Sequence, residues 1–177
     1  FKWEILPDPN GPWINMMGTV EEVIANLENV YPYSNKTLET YRETQIPAHA
    51  NESINKWWTY DSRACQGPWA AADCGLLQGG IDYLRGVPGK PYLANGPGIC
   101  SRVSCSWDTG IYWCNHHDGP FWLDSFNDIA DAANDILFYC VYPIQVCNGC
   151  WGQQFYCERE ELGLLICMVW LKTDSTS

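Results

Sequence analysis

The sequence predicts an α+β protein: a two-layer α/β sandwich with a largely antiparallel sheet of about five strands and two main helices on one face. An N-terminal helical extension precedes it. Three observations lead there. Ten cysteines, even in number and all after residue 64, make the frame of a disulfide-stapled protein. Aromatic and β-branched segments that read as strands alternate with two amphipathic helices. The order is strand, helix, hairpin, helix, hairpin, and two helices suffice to cover one amphipathic sheet face.

Residues 1–54 contain no cysteine and five of the eleven prolines, and they form the extension. Thr19-Val20-Glu21-Glu22 is a capping box, and Val20, Val23, Ile24, Leu27 and Val30 follow as one apolar stripe, so a helix is expected there. A second short helix is expected around Asn35–Glu43. The stripe has to be buried, against the cysteine-rich part or against a partner.

Residues 55–171 form the sandwich. Lys56-Trp57-Trp58-Thr59-Tyr60 reads as its first strand. A helix over Ala71–Leu84 places Leu77, Ile81 and Leu84 on one face; Gly75, Gly79 and Gly80 weaken it, and Gly86 and Pro88 end it. A Gly/Pro-rich loop spans Gly86–Gly98. Arg102–Trp107 and Ile111–Asn115 make a hairpin around Asp108-Thr109-Gly110, with Val103, Cys105 and Trp107 on one side and Arg102, Ser104 and Ser106 on the other. The strongest helix runs from Ser125 to Tyr139, opened by Ser125-Phe126-Asn127-Asp128 and striped by Ile129, Ala132, Ala133, Ile136, Leu137 and Cys140. Gln153–Cys157 and Leu164–Leu171 close the chain as a second hairpin, and residues 172–177 are expected to fray as a disordered tail. Cys65, Cys74 and Cys100 recur forty residues later as Cys105, Cys114 and Cys140, but a helix follows Cys74 whereas a hairpin arm ends at Cys114, so the offset marks no duplicated unit.

The cysteines are Cys65, Cys74, Cys100, Cys105, Cys114, Cys140, Cys147, Cys150, Cys157 and Cys167. A secretory compartment converts them into as many as five bridges, each worth about 2–4 kcal/mol. Ten cysteines allow about 945 pairings, so spacing fixes no connectivity; the local expectation is that Cys157 and Cys167 tie or flank the last hairpin. Asn35-Lys36-Thr37 and Asn51-Glu52-Ser53 are glycosylation sequons that point to the same extracellular setting, with Asn35 and Asn51 as the acceptors. No run of eighteen apolar residues spans a membrane, and the chain, which starts at Phe1, is read as having lost a signal peptide. Net charge is −11, from 10 Lys plus Arg against 21 Asp plus Glu, which makes nucleic acid and anionic lipid poor partners.

Several residue groups carry chemistry on paper. Cys147-Asn148-Gly149-Cys150 has the spacing of a redox dithiol, but an Asn-Gly turn replaces the helix N-terminus such a site needs, which favours structural bridges. His116-His117-Asp118 is the one histidine cluster; adjacent histidines point apart, so no metal site and no cofactor are expected. A hydrolase, if there were one, would centre on His116 or His117 with Asp118 or Asp124 as partner. Asp128, Asp131 and Asp135 share a helix face and read as solvated. Ten tryptophans supply core and, where exposed, rings for sugar stacking or protein anchoring. Of these, Trp57 and Trp58 must face opposite sides of a strand, and Trp3, Trp13, Trp122 and Trp151 read as loop residues.

The stretch from Gly98 to Trp107, continued by Gly110-Ile111-Tyr112-Trp113-Cys114-Asn115, by Ser125-Phe126-Asn127-Asp128-Ile129-Ala130-Asp131 and by Ile136-Leu137, resembles small secreted cysteine-rich fungal proteins of the kind typified by the smut-fungus killer toxin and related necrosis-inducing effectors. The resemblance covers about 115 residues. It implies a five-stranded sheet with two helices on one face, held by disulfides, in a non-enzymatic protein that acts outside the producing cell. Its implied partner is a host or competitor protein, a plant immune receptor among them. The smut toxin is basic and is thought to act on calcium channels through lysines. This acidic chain has only Lys90 and Lys172 in its later half, so no functional residue carries over. Two other readings stand beside it: a cell-wall glycan-binding module that uses exposed aromatics, and the small hydrolase at His116/His117. A line of coplanar exposed rings about 10 Å apart would mark the first, and a histidine–carboxylate hydrogen bond in a pocket the second.

Overall fold

A computed structural model describes residues 2–5, 12–30, 58–65, 72–106, 109–141, 150, 152–158 and 165–173. The chain is a mixed α/β fold with two antiparallel sheets and three disulfides among these residues. The elements are β1 (Lys2–Ile5), β2 (Ile14–Met17), α1 (Val20–Val30), β3 (Trp58–Ala64), α2 (Cys74–Arg85), β4 (Lys90–Leu93), β5 (Ile99–Ser106), β6 (Thr109–Asn115), β7 (Phe121–Trp122), α3 (Phe126–Ile136), a π turn (Leu137–Val141), β8 (Gly152–Glu158) and β9 (Leu165–Thr173).

Five strands pair in the order β3-β8-β9-β6-β5, and four more in the order β2-β1-β4-β7. In the larger sheet α2 lies over β5 and β6, α3 lies over β8 and β9, and the two helices touch. The smaller sheet is absent from the sequence reading. It joins residues near the N-terminus to the cysteine-rich part, because β1 pairs with β4 through Trp3↔Pro91 and Lys2↔Tyr92. Residues 90–93, expected within a loop, are therefore a strand. At its other end β9 runs through Lys172 and Thr173, which pair with Gly110 and Thr109 and do not fray.

Each helix begins where its caps dictate. At α1 the Glu22 carboxylate accepts from Thr19 N–H at 2.7 Å and the Thr19 hydroxyl accepts from Glu22 N–H at 3.5 Å. Asp73 caps α2 by accepting from Gly75 and Leu76 N–H, so this helix starts three residues later than Ala71. At α3 Ser125 Oγ accepts from Asn127 N–H at 3.0 Å, while the Asp128 carboxylate accepts from Ser125 N–H at 3.2 Å. The stripes are buried as spaced, except that Val30, at the end of α1, is 65% exposed.

Trp3 belongs to the centre of the core. It is fully buried and stacks on Phe126 at 4.2 Å between ring centroids, and its indole N–H donates to Gly18 O at 2.8 Å. Gly18 sits at φ +126° between β2 and α1, a backbone conformation that side-chain-bearing residues rarely adopt. The glycines that weaken α2 have a packing reason at one position. Gly80 lets the helix lie close on β5 and β6, and a Cβ there would meet Ser104 Oγ at 2.9 Å.

Ser104 departs from the expected alternation. The β5–β6 register shifts between Arg102 and Ser104, and Val103 and Ser104 are both buried. The bulge turns Ser104 inward, and its hydroxyl donates to Glu21 of α1 at 2.7 Å, which satisfies the buried oxygen.

The disulfides are Cys65–Cys140, Cys74–Cys150 and Cys100–Cys114, with sequence separations of 75, 76 and 14. The first two close long loops and constrain the unfolded chain most. Cys147 lies outside the described residues, as do the side chains of Cys105, Cys157 and Cys167. The same holds for Asn35, Asn51, the segment expected as a second short helix, Trp57, Trp107, Trp151 and the Trp58 side chain. No helix among the described residues is long and apolar enough to cross a membrane.

Candidate functional site

The histidine cluster follows directly on β6, and a buried asparagine organises it. Asn115 is fully buried; its amide donates to Ala94 O at 2.9 Å and to Gly119 O at 2.8 Å, and its carbonyl accepts from His117 N–H at 2.8 Å. His117 Nδ1 in turn accepts from Gly119 N–H at 2.9 Å, so its ring, when neutral, carries the proton on Nε2. The His117 ring lies beside Phe121, and the His116 ring beside Phe155. His116 Nε2 is buried without a hydrogen-bond partner among the described residues.

The carboxylates named beside these histidines go elsewhere. Asp124 pairs with Lys90 at 3.1 Å, and Asp118 is exposed. Among the described residues no hydrogen bond joins His116 or His117 to a carboxylate, and no group of three ligating side chains comes together. The Asn115–His117–Gly119 contacts instead latch a tight loop shut. Replacing His117 with alanine strips the acceptor from Gly119 N–H and is expected to lower stability by about 1 kcal/mol, read by equilibrium urea unfolding.

Two further groups change meaning. Cys150 is buried and bonded to Cys74, so Cys147 and Cys150 are not a dithiol pair. The acidic face of α3 is not simply solvated. Asp128 caps the helix, Asp131 pairs with Arg85 of α2, and Asp135 accepts from Gln154 of β8 at 3.3 Å. Helix-on-helix packing places Asp131 where a lone helix would have water.

The surface most suited to contact is the outer face of the four-stranded sheet. Met17, Lys2, Tyr92 and Trp122 occupy directly opposed positions on β2, β1, β4 and β7, one row across the sheet. Met17 is 74% exposed and Trp122 50%. Tyr92 and Trp122 lie 4.9 Å apart at 48°, and Lys2 Nζ stands 5.7 Å from the Tyr92 ring. The next row holds Asn15, Glu4 and Lys90, with Lys2 near Glu4 at 3.9 Å. The inner face of the same sheet presents Trp3, Ile5 and Leu93 to the core. Rigid packing beneath and aromatic side chains above give a preorganised contact surface.

Sequence reasoning placed Trp3 and Trp122 in loops and so missed this face. The signal was there in short form: Lys2-Trp3-Glu4-Ile5 alternates polar and apolar, as β1 does with buried Trp3 and Ile5. Trp13, just before β2, is 54% exposed. A second exposed aromatic pair, Phe138 and Tyr139, projects from the π turn, with the Arg63 guanidinium 4.1 Å from the centre of the Tyr139 ring. The Tyr92–Trp122 tilt and spacing differ from a flat line of rings about 10 Å apart, the arrangement suited to stacking on a linear glycan.

Set against known proteins, this chain matches no family model, no curated protein and no solved structure.

Proposed function

We propose that this is a secreted effector or toxin-like protein of the fungal killer-toxin-like kind, and that it acts by binding a host or competitor protein outside the producing cell. The row Met17–Lys2–Tyr92–Trp122 carries the reading: an exposed methionine and tryptophan, with a half-buried tyrosine between them, aligned on a sheet whose other face is core. Aromatic anchors of this type dominate protein interfaces, and methionine adapts to irregular partner surfaces. The disulfides support it by holding the scaffold in one shape, which lowers the ordering cost of binding. The five-stranded antiparallel sheet, with α2 and α3 in contact over its strands, accords with the killer-toxin-like arrangement of two helices on one face. The angled Tyr92–Trp122 pair favours a protein over a linear glycan.

Infiltration of the purified oxidised protein into host leaf tissue, paired with pull-down from apoplastic extract, tests this. The double variant Tyr92→Ala/Trp122→Ala changes surface residues and should keep the fold. Loss of each anchor is expected to weaken target binding by about 2 kcal/mol, roughly 30-fold. The proposal requires a protein retained by the native chain and lost by the variant. Equal retention or equal tissue response by both would remove this face as the binding surface.

A further inference from the structure

We infer that the open edge of the four-stranded sheet, along β2, pairs with the same edge of a second copy of this chain. The outward backbone groups of β2 carry this, independently of what the contact row binds. In an antiparallel pair, opposed residues alternate between those that exchange both N–H···O bonds and those that exchange none. Pro91 has no N–H, and its carbonyl accepts from Leu123 N–H at 3.1 Å on the β7 side, so Trp3↔Pro91 is a pair without hydrogen bonds. Lys2 and Glu4 therefore bond to β4, Trp3 and Ile5 turn their backbone groups to β2, and Met16 and Ile14 answer them. The N–H and C=O of Asn15 and Met17 then point away from the sheet. Both residues are exposed, and β2 ends the sheet among the described residues.

The other sheet edges are defended. β3 and β5 carry an arginine each, Arg63 and Arg102, together with a register shift, and β7 is only two residues long. Ile14-Asn15-Met16-Met17 has no charge, no proline and no irregularity in its register.

This strand is its own complement. About a two-fold axis at Met16, Asn15 lies opposite Met17 of the second copy, and Met17 opposite Asn15 of the second copy. Each pair exchanges both hydrogen bonds, so every outward backbone group of Asn15 and Met17 is used. On the outer face, the row Trp122–Tyr92–Lys2–Met17 then runs on into Asn15, Glu4 and Lys90 of the second copy. Uncharged residues meet at the axis, and the first charges beyond them, Lys2 and Glu4 of the second copy, are opposite in sign. On the inner face the two Met16 side chains meet, each already packed on its own core. The paired segment is four residues long and each copy carries a net charge of −11, so the dimer is weak and tightens as salt screens the repulsion.

Sedimentation equilibrium of the full native chain in about 1 M NaCl, where the screening length is about 3 Å, tests the pairing. The weight-average mass is expected to climb from monomer toward dimer between about 10 and about 500 μM, with a dissociation constant on the order of 100 μM. Asn15→Ala keeps the backbone donor and should dimerise like the native chain. Asn15→Pro removes an outward N–H that bonds nothing in β1, so the fold is kept, and the dimer should weaken by roughly tenfold or more. Amide hydrogen exchange gives a second readout on the unaltered chain. Exchange at Asn15 and Met17 should slow at the higher concentration, while Met16, already bonded to Trp3, should not change. A native chain that stays monomeric throughout, an Asn15→Pro chain that dimerises equally well, an Asn15→Ala chain that does not dimerise, or exchange at Asn15 and Met17 that ignores concentration overturns the pairing.

Discussion

Replacing Trp3 with alanine is expected to destabilise the protein by about 3–5 kcal/mol, the range for truncating a buried aromatic. Trp3 is fully enclosed, stacks on Phe126 and ties its indole N–H to Gly18, so the loss combines transfer, a cavity and a broken hydrogen bond. The consequence reaches beyond one side chain. β1 is the central link between β2 and β4, and Trp3 fastens that strand to the first turn of α3. Chemical denaturation gives the number, with Trp122→Ala as the control: loss of a half-exposed ring of the same sheet should cost little stability. A Trp3→Ala protein within 1 kcal/mol of the native chain would show that β1 does not dock as described.

Asp131→Ala is the second large effect, again about 3–5 kcal/mol. Arg85 and Asp131 pair between α2 and α3 with only 12% of each side chain exposed. Removal of the carboxylate strands the guanidinium charge between two packed helices. Removal of both charges is expected to be far milder. The pair Arg85→Met/Asp131→Leu should recover most of the lost stability, because apolar residues of similar volume need no desolvation of ions. A double-mutant cycle by urea unfolding separates the two cases. If the double variant is as unstable as the sum of the singles, the two groups do not interact.

The helices and hairpins of the larger sheet were legible because their signals are local. Thr19 with Glu22 and Ser125 with Asp128 name two helix starts within four residues each, and the stripes of α2 and α3 are buried as spaced. The smaller sheet was not legible. Its strands are two to four residues long and come from three separated stretches of chain, and Pro91 interrupts one of them, so no window holds enough alternation. Ser104 was misplaced because a bulge is a property of two strands and not of one. Asp131 was misread for a similar reason: its helix is amphipathic alone, and only the approach of α2 makes the polar side a contact. The contact face was therefore hidden with the sheet that carries it. The histidine cluster, conspicuous in sequence, is held by Asn115 as a loop latch.

The two long bridges interlock along the chain. Cys65 is joined to Cys140 and Cys74 to Cys150, so the first bridge spans every peptide bond between residues 65 and 140, and the second carries that span on to residue 150. A single hydrolytic nick anywhere in this stretch leaves both halves on one covalent molecule. Within residues 65–150, one cut parts the chain only once every bridge that spans it has also been reduced.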